Sequence, residues 1–278
     1  MKNYKELRIG EKKAFWKENP LLGEIPINIK GIIPFKMYSQ NDDSVVKELH
    51  WTNYEGWELT SLLLWSDLLM NIPKGIIFDI GAYSGIYSII ASKKAKKCEI
   101  HAFDIQDNCI NRLKKNMKIN EVNNVKIHQA ACTDFNGESI FYFYEEEGIM
   151  SSIAGLVPNK INDLEKKIRT VKLDDLKVNG SVQLIKIDVE GAELSTLGGL
   201  KHILINDSPD VLIEVNNFKD IKKVKNLFPS GYVLYDIDED SLTIKKMGWF
   251  KKPSAHRNYL FTKKDQMTIK EIFSGLVK

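Results

Sequence analysis

The segment Gly75 to Ser88, Gly-Ile-Ile-Phe-Asp-Ile-Gly-Ala-Tyr-Ser-Gly-Ile-Tyr-Ser, restricts the fold of this chain more than any other. Ile76, Ile77, Phe78 and Ile80 form a short run of β-branched and aromatic residues, the composition of a strand covered on both faces of a parallel sheet. Asp79 breaks the run just before Gly81 and Gly85, so a carboxylate and a bare turn stand together at the mouth of the strand. Such a mouth admits a small molecule close to the backbone.

A chain of 278 residues has room for one α/β domain with a moderate extension, and 43% hydrophobic with 28% charged residues is a globular composition. Lys and Arg number 40 against 37 Asp and Glu, a bias too weak to imply nucleic acid as a partner. Cys98, Cys109 and Cys132 lack C-x-x-C spacing, which argues against a zinc knuckle or a disulfide framework and for reduced thiols in the cytoplasm. The charged amino terminus lacks the apolar region of a secretory signal, and Leu62 to Met70 is interrupted by Trp65, Ser66 and Asp67, so no transmembrane segment is expected.

Residues 1–70 carry Pro20, Pro26 and Pro34 among short apolar runs and read as irregular strands, then a helix from about Asn53 or Glu55 through Leu69. This extension is expected to be a cap or an interface element, with a homo-oligomer as one use of it; Glu58 and Thr60 are its weakly supported site residues. Residues 71–265 show strand-helix rhythm, and 266–278 a terminal helix or tail. Ser84 is positioned to cap a helix to about Lys96, and the strand Cys98 to Phe103 ends on Asp104, one βαβ unit after Asp79. An acid there is the usual partner of ribose hydroxyls, able to accept from both at once, or else a plain helix cap. Asp134, in the turn after a third strand at Val125 to Gln129, is placed for the base of a nucleoside or is an ordinary turn residue. Glu138 to Tyr144 reads as an extra strand, and the polar stretch Glu145 to Ile161, with Ser151 and Ser152, as a lid.

In Leu184-Ile-Lys-Ile-Asp-Val-Glu-Gly-Ala-Glu193, alternation puts Lys186 and Asp188 on one face of a strand, with Glu190 and Glu193 at the start of the next helix. Strands at Pro209 to Val215, Gly231 to Asp236 and Arg257 to Thr262 follow. An antiparallel last strand brings His256, Arg257 and Asn258 to the edge that holds Glu214 and Asn216. His101, His128 and His202 fall in strands or a helix and read as structural.

A dinucleotide turn needs G-x-G-x-x-G, whereas Tyr83 stands here in the place of the second glycine and would crowd a pyrophosphate. S-adenosylmethionine, with ribose and adenine but no phosphate, suits the turn better. Phe-Asp-Ile-Gly-Ala-Tyr-Ser-Gly-Ile-Tyr-Ser, Ala102-Phe-Asp104, Val171-Lys-Leu-Asp-Asp-Leu176, Leu184 to Glu193 and Asp210-Val-Leu-Ile-Glu214 together resemble the FkbM family of methyltransferases, as does Arg257-Asn-Tyr-Leu-Phe261. The resemblance runs from about Ile76 to Phe261, and the I-K-x-D-V-E-G-x-E string is its most specific mark. It departs from the family at Asp104-Ile105-Gln106, where Glu-Pro is usual.

The resemblance implies an α/β class I methyltransferase fold, Rossmann-like, with a seven-stranded mostly parallel sheet and helices on both faces. It also implies methyl transfer from S-adenosyl-L-methionine, commonly to a hydroxyl of a sugar, a glycan precursor or another small metabolite. Cofactor binding then falls to Asp79, Gly81, Tyr83, Gly85, Asp104, Asp134 and Asp188, and catalysis to Asp188, His256 and Lys186. Glu190, Glu193, Glu214, Asn216, Arg257 and Asn258 are left for the substrate. A metal-assisted route through Asp188 and Glu214 is the less favoured variant. An NAD-dependent oxidoreductase of nucleotide sugars and a catalytically silent scaffold are the readings from other classes.

Overall fold

The computed structural model describes residues 4–143, 150, 154–155, 164–248 and 253–273. The chain begins with α1 (Ile9–Glu18), followed by an antiparallel ribbon of β1 (Leu22–Ile27) and β2 (Phe35–Gln40). In β2 the side chains of Phe35, Met37 and Ser39 alternate inward, the period of a strand buried on one face. Two helices follow where one was expected: α2 (Ser44–Trp51), whose first turn is capped by Asp43 accepting from the Val46 N–H, and α3 (Leu59–Met70). Asn53, Tyr54 and Glu58 take left-handed backbone angles between them, which no continuous helix permits.

The expected α/β rhythm then begins with β3 (Gly75–Ile80), α4 (Ile86–Lys94), β4 (Cys98–Asp104), α5 (Asp107–Ile119) and β5 (Val125–Gln129). A small sheet interrupts it, built from β6 (Ala131–Cys132), β7 (Gly137–Phe143), β8 (Ala154–Gly155) and β9 (Leu164–Val171) in the order β6-β9-β7-β8. The main sheet resumes with β10 (Val182–Ile187), α6 (Glu193–Gly198), α7 (Lys201–Asn206), β11 (Asp210–Glu214) and α8 (Ile221–Leu227). It finishes with β12 (Val233–Asp238), β13 (Thr243–Lys246), β14 (Asn258–Thr262) and the terminal α9 (Gln266–Ile272).

The order of the main sheet is β13-β12-β14-β11-β10-β3-β4-β5. The seven expected strands are all in it, with β14 antiparallel to β11 and β12, and β13 adds an eighth at the edge. β3 and β10 are parallel neighbours, and the chain adds strands outward from β3 on one side and from β10 on the other, so the crevice outside their carboxyl ends lies at the switch point where open α/β sheets bind ligands.

Each face of the sheet has its own core. Ile76, Phe78, Ile185, Ile187, Val211 and Ile213 pack against Leu197, Leu200 and Leu204 and against Val224 of α8. On the other face Ile77, Leu184, Leu212 and Leu260 join Leu62, Trp65 and Leu68 of α3 and Ile27, Met37 and Leu49 of the amino-terminal segment in one cluster. The extension therefore shares its core with the sheet. Alternation continues this second face through Lys186, Asp188, Glu214 and Asn258, so the polar strand ends sit under the turn that leads into α3.

Candidate active site

Gly81 has φ +81°, and a Cβ placed there would lie 1.7 Å from the carbonyl oxygen of Asp188. The N–H groups of Gly81 and Ala82 both donate to the Phe103 carbonyl at 2.9 Å. The turn thereby pins the tips of β3, β4 and β10 together, and only glycine fits between two backbones this close. Gly85, φ +91°, leaves room instead for Leu113, whose Cδ1 would stand 2.2 Å from an added Cβ, and so lets α4 pack on α5. Gly85 rather than Ser84 occupies the N-cap position of α4, and the Ser84 hydroxyl caps nothing.

Asp79 does not line the cavity at the switch point. Its carboxylate is 1% exposed and accepts from the Ser88 hydroxyl at 2.6 Å, tying β3 to α4, and burial pushes its pKa up to about 6. Asp104 is the acid that faces open space. Its Oδ1 accepts from the N–H groups of Ile105 (2.7 Å) and Gln106 (3.0 Å), and its Oδ2 from the N–H of Tyr83 (2.8 Å), a residue held at φ +49°. A carboxylate has about four acceptor positions, so one remains, on Oδ2. Both oxygens thus already hold the backbone, and the position left for a ligand hydroxyl is on Oδ2. Burial pushes Asp104 up to about 6 as well.

The cavity at the switch point has a volume of about 280 Å³. One end is formed by Gly81, Tyr83, Asp104, Ala130, Ala131 and Cys132, with Ser44 and Val45 beside them; the other by Trp57, Glu58, Asp188, Glu190, Glu214 and Arg257. Lys186, 1% exposed, lies behind this second end with Nζ 3.3 Å from Asp188 Oδ2 and over the Tyr87 ring. Burial opposes its charge, yet Asp188, Glu58 and Glu214 hold its ammonium above the usual lysine range. Glu58 accepts from the Tyr87 hydroxyl at 2.6 Å, and Glu214 pairs with Arg257 at 3.0 Å. Burial first and the nearby Asp188 charge second push Glu214 upward and raise Glu190 to about 7; for Glu58 burial is again the leading cause of an upward shift.

The remaining expected site residues lie off the cavity lining. Asp134 is exposed and accepts from the Ser195 hydroxyl at 2.8 Å, and it is Ala130 and Ala131, earlier in the same segment, that line the cavity. Glu193 folds onto its own turn, accepting from the Gly191 N–H at 2.8 Å. His256 turns to the surface carboxylate of Asp240, 3.0 Å away, because the loop before β14 packs against the β12–β13 hairpin. Asn216 supports the wall from outside, donating to Glu190 at 3.0 Å, and Asn258 is buried beneath Glu214. Thr60 donates its N–H to Glu239 at 2.7 Å. Ser151, Ser152 and most of the expected lid lie outside the described residues.

The methyltransferase FkbM domain model matches residues 79–247, more than half of the chain. The chain belongs to the FkbM methyltransferase family. The cofactor of this family is S-adenosylmethionine. Among curated proteins the chain is similar to the ribosomal protein L11 methyltransferase of Thermoanaerobacter pseudethanolicus, 29% identical over 141 residues, which cover 49% of this chain and 40% of that protein. The match thus spans less than half the length of that relative. Among solved structures it is similar to a methyltransferase FkbM from Methylobacillus flagellatus KT, with 15% identity, 68% of this chain and 44% of the other covered, and a TM-score of 0.45. A SAM-dependent methyltransferase from Agrobacterium tumefaciens covers 88% of this chain and 72% of its own at 11% identity, with a TM-score of 0.48.

Ser44, Val45, Trp57 and Glu58 line the cavity from outside the segment that matches the FkbM domain. Glu58 stood out in the sequence only weakly, and Ser44 and Val45 not at all. The available signal was the Asp43-Ser44 cap pattern, which places a helix start but not what it faces.

Proposed function

We propose that the protein is an S-adenosylmethionine-dependent O-methyltransferase acting on a hydroxyl of a sugar, a glycan precursor or another small metabolite. The observation that carries this reading is a single cavity with unlike ends, Asp104 beside apolar Ala130 and Ala131 at one and the Asp188, Glu190 and Glu214 carboxylates at the other. The residues fit the cofactor. Asp104 retains an acceptor position for a ribose hydroxyl, the alanines make an apolar wall for a base, and the Tyr83 side chain stands where a pyrophosphate would need a bare turn.

S-adenosylmethionine, when bound, supplies an electrophilic methyl group. The chain's own residues then have to orient the acceptor, exclude water and take a proton. Asp188, fixed by Lys186, accepts the acceptor hydroxyl and aims it; Lys186, held as an ammonium, is a positioning residue. Glu190, raised to about 7, is matched to neutral pH as the proton acceptor, a role that His256 does not share because it does not line the cavity. An acceptor end with four carboxylates and one arginine supports an uncharged polyhydroxyl ligand and disfavours a polyanion.

The same acidic lining favours one second reading, transfer to an amine of a protein, in keeping with relatives named for ribosomal protein L11. A labelled methyl-donor assay against pooled cell extract, followed by mass spectrometry of the product, separates the two. An O-methylated small molecule is the expected product. Label confined to protein would support the second reading, and no transfer at all would remove both.

A further inference from the structure

The turn before α3 and the ends of β10 and β11 bring Glu58, Asp188 and Glu214 together, with one carboxylate oxygen from each within 4.8 Å of the others. We propose that these three carboxylates bind one hard divalent cation, Mg2+ or Mn2+, at the acceptor end of the cavity. The methyltransferase reading bears on what the cation does there, not on whether it binds.

The spacing fits the ion. Bonds of about 2.1 Å to Mg2+ put adjacent ligand oxygens about 3 Å and opposite ones about 4 Å apart, so a small closing motion completes the set while waters fill the remaining positions. An all-oxygen donor set without imidazole or thiolate selects Mg2+ or Mn2+ over zinc or copper. All three residues line the cavity, so the ion has a way in.

Charge balance points the same way. Glu239 acts on Glu58 and Glu190 faces Asp188, which makes five carboxylates around the cluster, while among the described residues only Lys186 and Arg257 pair with them by positive charge. Three negative charges are left over when all five acids are ionised, and one divalent cation offsets two of them. Arg257 is 53% exposed along its side chain and also donates to the Asn216 side chain.

An independent observation comes from Asn258. Its side chain is 2% exposed, yet Oδ1 has no hydrogen-bond partner among the described residues. Asn258 stands opposite Glu214 across the β11–β14 ladder and hence on the same face. β14 lies between β11 and β12, and the Asn258 amide nitrogen is turned to Glu239 just past the end of β12, 3.4 Å away. Oδ1, which that contact does not use, belongs to a side chain on the same face of the sheet as Glu214 and Asp188. A buried carbonyl oxygen without a donor is costly, and a water on the cation or the cation itself would satisfy it. Glu58 is in turn held at φ +42°, a conformation that costs a non-glycine residue energy and that clusters at ligand-holding sites. A cation here would lower the pKa of a coordinated acceptor hydroxyl and so ease loss of its proton.

The test is a Mn2+ titration of the chelator-treated full-length chain, read by the electron paramagnetic resonance of free Mn2+, with and without S-adenosylhomocysteine. The expected result is one ion per chain, with Glu58→Gln and Glu214→Gln each weakening it by about tenfold or more while their S-adenosylhomocysteine affinity stays near that of the unsubstituted protein. Asp240→Asn should leave Mn2+ binding unchanged, since Asp238, Asp240 and His256 form a separate surface group. Absence of Mn2+ binding in protein that still binds S-adenosylhomocysteine would overturn the proposal. So would unaltered binding in both glutamine variants, or a loss only in Asp240→Asn. Mn2+ bound without any S-adenosylhomocysteine binding would keep the cation site and remove the methyltransferase reading.

Discussion

Asp104 accepts three backbone hydrogen bonds and still has one position left, so its geometry is fixed before any ligand arrives. Hydrogen bonds to a charged group contribute roughly 1.5–3 kcal/mol, so Asp104→Asn should weaken S-adenosylhomocysteine binding by at least about tenfold in calorimetry. Because burial raises this carboxyl to about 6, affinity should also fall as pH is lowered through that value, a dependence that the asparagine variant loses. Glu190 gives the complementary effect on stability. Its folded pKa of about 7 lies above the ordinary 4.5, so its contribution is complete below about 4.5 and is lost as pH rises through about 7. Glu190→Gln should flatten the dependence of Tm on pH across that window. Gly81→Ala is a packing test: a methyl group meeting the Asp188 carbonyl at 1.7 Å costs roughly 1–3 kcal/mol from overcrowding alone, before the left-handed φ is counted. Urea denaturation should therefore show a lower midpoint, with any loss of cofactor binding following from the altered turn.

The elements from β3 to β5 and the strands β10, β11, β12 and β14 were legible because buried strands carry unbroken apolar runs, whereas β13 was not expected and the leucine spacing after Asp188 read as one helix where the chain forms α6 and α7. Helix α2 was not, because Ser44 to Trp51 read as part of a run of irregular strands, and α3 starts at Leu59 rather than at Asn53 or Glu55 because Tyr54 and Glu58 adopt left-handed angles that their residue types do not advertise. Asp79 and Asp104 looked alike as strand-end acids, yet alternation buries the first against Ser88 and leaves the second at the cavity. Topology brought His256 to the right edge of the sheet, but its side-chain direction depends on Asp240 of the β12–β13 hairpin, a contact that no spacing rule contains. The start of α3 depends on an equally distant partner. Glu239, just beyond β12, accepts from the N–H groups of Thr60 (2.7 Å) and Ser61 (3.3 Å), acting as a cap from another element. Glu239→Ala should cost about 1–2 kcal/mol, as loss of a helix cap does, and chemical denaturation would measure it.

At the scale of the whole molecule, the segment before residue 71 closes one face of the sheet and one side of the cavity. Trp65 is fully buried with its indole N–H donating to the Tyr87 carbonyl at 3.1 Å, and Ile77, Leu184 and Leu212 have their apolar neighbours there. A chain shortened to begin at Asn71 should therefore show no cooperative thermal transition by calorimetry; a sharp transition would mean that the extension is a separable cap. Among the described residues no helix is long and apolar enough to cross a membrane. The central claim is that the crevice between β3 and β10 holds S-adenosylmethionine, with Asp104 on the ribose and the carboxylates of β10 and β11 toward the acceptor. Isothermal titration of the full-length chain with S-adenosylhomocysteine and, separately, with NAD+ tests it most directly. The account predicts one S-adenosylhomocysteine per chain, weakened in Asp104→Asn, and no heat from NAD+; saturable NAD+ binding, or no S-adenosylhomocysteine binding by folded protein, would contradict it.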